Sequence, residues 1–120
     1  MASIPFWKPG QTITGHAKTA VTERRFLAIA GPRVEGNPQV GHAAANARVE
    51  GVSSVSKAAG EKVMFWHDGV QEVEAAAAIT AGAAVASDAQ GRAVPWTTGT
   101  VAGYAFDDIA SGAAGPIRIV

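Results

Sequence analysis

Residues 60–94 read GEKVMFWHDGVQEVEAAAAITAGAAVASDAQGRAV, and this stretch decides the fold. It holds two turn signals, His67-Asp68-Gly69 and Asp88-Ala89-Gln90-Gly91, each set between apolar segments. Aspartate and glycine accept the backbone of tight reversals, so both places predict hairpins. Val63 and Phe65 fall on one side of an extended strand, Met64 and Trp66 on the other. Large residues on both sides predict a strand covered by its own core and by a partner. Residues 72–81 are alanine-rich, with the propensity for a two-turn helix. Extended structure is nevertheless expected there. Val70 and Val73 stand at the start, Gly82 closes the run, and a hairpin after Asp68-Gly69 needs a return strand.

Working outward, residues 83–86 and 92–96 predict the two arms of the second hairpin. Residues 101–106 and 117–120 predict two further strands. Towards the N-terminus, a strand is expected over residues 47–55, ARVEGVSSV. Before it, residues 31–47, GPRVEGNPQVGHAAANA, predict a long irregular connection with a short strand near Val40 and one turn of helix over 41–46. Phe26-Leu27-Ala28-Ile29 predicts a buried strand stopped by Gly31-Pro32, with Glu23-Arg24-Arg25 as the turn before it. Ile13, Thr14, Val21 and Thr22 favour strand. A weak internal echo is visible. Gly51-Val52, Gly60 and the strand 63–66 are matched by Gly103-Tyr104, Gly112 and residues 117–120.

Residues 1–12 predict an extended arm, because Pro5 and Pro9 block regular helix. Ile4, Phe6 and Trp7 in that arm are costly to leave in water, at roughly 1.5–3 kcal/mol each. They either fold back onto their own domain, residues 13–120, or anchor an arm that adds to a neighbour's strand edge.

Composition narrows the function. Ten basic and ten acidic residues give a formal net charge of zero, and only 17% of residues are charged. That balance argues against a nucleic-acid binder and against a polybasic membrane module. A surface poor in charge does little to keep copies apart, so self-association is expected. There is no cysteine, hence no disulfide framework or zinc–thiolate site. The start MASIPFWKPG lacks the features of a signal peptide, and no apolar run reaches the roughly 20 residues of a membrane span. A soluble chain made in the cytoplasm is expected.

Catalytic chemistry is not in view. His16, His42 and His67 do not stand at metal-ligand spacing. Asp107-Asp108 are adjacent, and neighbours in a strand point to opposite faces, so a polar turn or a surface charge pair is expected rather than an acid–base pair. No nucleophile elbow and no phosphate-binding glycine loop occurs. Trp7, Trp66 and Trp96 are expected in the core or at a subunit interface, where tryptophan is enriched, with Trp66 and Trp96 as the interface pair. A competing reading is a ligand-binding β-barrel with a pocket near Trp66, Trp96 and His67.

Gly51-Val52, the run from Ala58 through Gly60, Glu61, Lys62 and Val63, the Asp68-Gly69 turn and Ala78-Ile79-Thr80-Ala81-Gly82-Ala83 occur in a characteristic order. Residues 87–94, Ala102-Gly103-Tyr104-Ala105 and Ile117-Arg118-Ile119-Val120 continue it. This pattern resembles the capsid-decoration, or cement, proteins of tailed bacteriophages, in the branch carried as DUF2190, over about residues 11–120. The resemblance implies a mostly β fold, a compact β-barrel or β-tulip. It implies a homotrimer at three-fold and quasi-three-fold positions on the outside of the virion, bound to the major capsid protein. It implies no enzyme activity and no cofactor. It also implies that an arm carrying Ile4, Pro5, Phe6 and Trp7 pairs with the capsid protein. The alternative within virion structure is a tail-tube or spike component.

Overall fold

The computed structural model describes residues 11–120, and among these the regular structure is all strand, without helix. The strands are β1 (Thr12–Ala17), β2 (Phe26–Val34), β3 (Asn37–His42), β4 (Gly51–Ser53), β5 (Lys62–Trp66), β6 (Val70–Glu74), β7 (Ala84–Ser87), β8 (Ala93–Pro95), β9 (Gly103–Ala105) and β10 (Ala114–Ile119). The first five close into a barrel in the order β1-β3-β2-β4-β5, and the second five form a sheet in the order β6-β10-β9-β7-β8. A parallel bridge between Ala75 and Ala93 joins the two ends of that second sheet.

These two units are copies of one design. A shift of 58 residues carries β1 onto β6 and β2 onto β7, a shift of 53 carries β3 onto β8, and a shift of 52 carries β4 and β5 onto β9 and β10. Register is preserved throughout. Thr12 opposite Trp66 becomes Val70 opposite Arg118, Leu27 opposite Gly51 becomes Val85 opposite Gly103, and Ile29 opposite Val40 becomes Ser87 opposite Ala93. The isolated bridge Val21–Lys57 becomes Ile79–Ile109. Loop bonds follow the same rule. The amide of Gly60 donates to Ala17 at 2.7 Å and that of Gly112 to Ala75 at 2.8 Å. The echo read between residues 51–66 and 103–120 therefore runs through the whole described chain. The β2–β3 hairpin is the main difference, five residues longer than its β7–β8 counterpart.

Two apolar clusters follow from this layout. Ile13, Ala17, Val21, Leu27, Val40, Val63 and Phe65 fill the barrel. The other cluster fills the second unit and reaches across the junction to Phe26, Ala43, Val49 and Val52 on the outside of the barrel. The junction is also bonded. The Phe26 amide donates to Gly91 O at 2.6 Å, the Glu74 amide to Arg24 O at 2.9 Å, and the Asn46 amide to Ser87 O at 2.9 Å. Arg25 Nε meets Glu74 Oε2 at 2.7 Å, with both side chains largely buried.

The extended reading of residues 72–81 holds, since β6 runs to Glu74 and Ile79 is bridged to Ile109. The Asp88–Gly91 reversal is a hairpin, with Ser87 opposite Ala93. The His67-Asp68-Gly69 reversal is not. β5 already pairs with β1 on one edge and β4 on the other, so β6 has no edge to take and starts the second unit against β10. Residues 31–47 are more regular than expected. β2 continues through Gly31-Pro32 to Val34, with register shifts that absorb the proline, and turns at Glu35-Gly36 into β3. Gly41 and His42 complete β3 and form no helical turn, and the strand expected over 47–55 shortens to β4. β5 alternates as predicted, but its outer face is only partly covered: Trp66 is half-buried and Met64 is 48% exposed.

Candidate interaction surface

The outer face of the second unit carries a row of large side chains. Val70 of β6, Arg118 of β10 and Tyr104 of β9 stand in register, with Ala84 of β7 opposite Tyr104. The Arg118 guanidinium lies over the Tyr104 ring, 6.0 Å from its centroid. Beyond β9, the Phe106 amide donates to Pro116 O at 2.9 Å, and the Phe106 side chain is 59% exposed. Trp96 follows β8. Its amide donates to Ala84 O at 2.9 Å and its indole N–H to Gly99 O at 3.0 Å, which fixes the ring while 43% of the residue stays exposed. Several exposed aromatics on a narrow strip are more than a scatter of single apolar residues, and such strips mark contact sites.

The tryptophans named from sequence do not share one site. Trp66 lies on β5 opposite Thr12 and Val52, and lines a cleft of about 170 Å³ with Arg24, Ser53, Gln71 and Glu72. Trp96 and His67 line neither that cleft nor a larger one of about 280 Å³ between Thr22, Arg25, Glu74 and Gly112. Neither of these two clefts brings Trp66, Trp96 and His67 together. The arm residues Ile4, Pro5, Phe6 and Trp7 lie outside the described residues. Sequence reading missed Ile29, Tyr104 and Phe106. Ile29 sits in an apolar run that reads as wholly buried, yet it is 55% exposed.

Polar groups serve the fold. Asp108 Oδ1 accepts the Ala81 amide at 2.8 Å, and Asp107 Oδ1 accepts the Asp108 amide at 2.8 Å, so the adjacent carboxylates brace a turn, as expected. Buried Ser53 Oγ donates to Thr22 O at 2.6 Å and accepts the Arg25 amide at 3.2 Å. His42 Nε2 accepts the Thr22 amide at 2.9 Å, a bond only the neutral ring makes. Burial, and secondly the Arg25 guanidinium, hold its pKa below the usual histidine value. Among the described residues no cluster of histidine and carboxylate side chains is arranged to hold a metal ion. No helix there is long and apolar enough to cross a membrane.

The family model described as phage cement protein matches residues 7–120. Among solved structures, the chain is similar to the crystal structure of the head fiber gp8.5 N base of bacteriophage phi29. The TM-score is 0.77 and the identity 26%, over 92% of this chain and 93% of that one. No curated protein matches.

Proposed function

The chain belongs to the phage cement protein family, and from that premise we propose that it binds the outside of the assembled phage capsid as a homotrimer at three-fold and quasi-three-fold positions. There it stabilises contacts between major capsid protein subunits and does no catalysis. The observation that carries this reading is the family match across residues 7–120, and the likeness to a head fiber base of phi29 supports a place on the head. The physics fits the role. A pressurised shell is strengthened by many weak clamps repeated with its symmetry, and their summed effect is large without strong individual bonds. A neutral chain with exposed aromatics suits such contacts.

In this reading residues 1–12 form the arm and 13–120 the decoration domain. Ile4, Pro5, Phe6 and Trp7 lie on the capsid protein, and Trp66 and Trp96 face neighbouring copies. Deleting residues 1–10 should abolish co-sedimentation with expanded empty capsids and leave circular dichroism and melting unchanged. Sedimentation of the truncated protein at full affinity would refute the arm.

A further inference from the structure

Burial reverses between the two units at equivalent positions. Phe26, Ala43 and Val52 on the outside of the barrel are buried by the second unit. Their counterparts under the shifts of 58, 53 and 52 are Ala84, Trp96 and Tyr104. Trp96 and Tyr104 are 43% and 41% exposed. The face of the second unit that covers the barrel includes Ser87, which is fully buried, and its counterpart in the barrel is Ile29, more than half exposed. Thus each chain ends in two open halves of the contact it makes internally. Among the described residues, Ile29 on the covering face at the barrel end and Trp96 and Tyr104 on the covered face at the other end stay exposed.

We propose that these two faces join copies of this chain head to tail, so that the barrel of one copy sits on the second unit of the next as the second unit sits on the barrel within a chain. The internal junction supplies the template. Within the chain Ser87 Oγ reaches Ala43 O at 3.3 Å. Carried to the contact between copies, that meeting becomes Ile29 against Trp96, two large apolar side chains now facing water. Within the chain this one meeting is polar and lies beside the apolar cluster of Phe26, Val49 and Val52. Between separate molecules the association has to be held by apolar burial, and at this point Ile29 and Trp96 add apolar area that Ser87 and Ala43 lack. Such a contact is heterologous, so it closes into a ring or continues as a filament. A ring of three copies is the form the proposed cement role requires, and this inference rests on that reading for the number of copies alone.

The test uses the full chain and two exposed positions that leave the core untouched. Light scattering should give the wild type the mass of an oligomer, and Ile29→Asp and Trp96→Asp should each fall to the mass of one chain. An equimolar mixture of the two variants should recover the mass of two chains and no more, because one intact Trp96 face then meets one intact Ile29 face. A wild type with the mass of one chain, or variants that keep the oligomer, would overturn the contact. So would variants that lose binding to empty capsids while the wild type is already a single chain, since the faces would then belong to the shell protein. Capsid co-sedimentation of the wild type reads the cement role separately. Binding by a single-chain wild type ends this inference alone, and an oligomer that ignores capsids ends the cement role alone.

Discussion

At the scale of single residues, His42 shows how this all-β chain uses a titratable group as a structural one. Its ring accepts the Thr22 amide at the edge of the junction, close to Arg25. Burial is the main force keeping it neutral and Arg25 the second, while Asp88 acts in the opposite direction. The folded pKa therefore lies below that of the unfolded chain, about 6.5. The stability it contributes is complete above that unfolded value and is lost as pH falls below it towards the folded pKa. Melting temperature should drop between pH 7 and pH 5, and His42→Gln should flatten that slope. Equal slopes for variant and wild type would show that other groups govern acid sensitivity.

At the scale of elements, the duplicated pair β4–β5 and β9–β10 depends on two glycines that occupy the same place. A Cβ added at Gly51 would stand 2.3 Å from Trp66 O, and one at Gly103 would stand 2.2 Å from Arg118 O. Both obstacles are backbone, which cannot turn aside as a side chain can. Gly51→Ala and Gly103→Ala should each lower stability by about 3 kcal/mol, at the upper end of overpacking costs, read as a shift in the urea midpoint. If one position tolerates alanine, the two strand pairs are not equivalent in packing. These glycines are also why the repeat was legible only in part. Backbone demands persist in both halves, so Gly51 and Gly103, or Gly60 and Gly112, echo in the sequence. Side-chain demands do not, because the halves face different neighbours: Phe26 answers to Ala84, Val52 to Tyr104 and Ile29 to Ser87. The same reversal hid the interaction surface. β5 could be oriented from its alternation, and Trp96 was singled out as a large aromatic. Tyr104 and Ile29 carry no mark until the junction shows which side of each strand is covered. The turn at His67-Asp68-Gly69 misleads for a further reason: its residues specify a reversal but not which strand edges remain free beyond it.

At the scale of the whole molecule, the duplication raises the question of whether each half stands alone. The barrel has its own interior, but Phe26, Val49 and Val52 on its outside are buried only by the second unit. Exposing three such side chains forfeits roughly 5–9 kcal/mol, as much as the entire stability of an ordinary domain. The second unit is no better placed, since alanines at 75, 93, 102 and 105 make up much of its interior and bury little area each. It would also lose the amide bonds to Phe26, Arg24 and Asn46 that cross the junction. Fragments 1–68 and 69–120 should therefore each give a collapsed NMR amide spectrum on their own. Mixed in equal amounts, they should recover the dispersion of the intact chain, because the junction needs no covalent link to form once both partners are present. A dispersed spectrum from either fragment alone would make the halves two domains in series. The shared apolar cluster would then be an ordinary interface rather than the core on which both units depend.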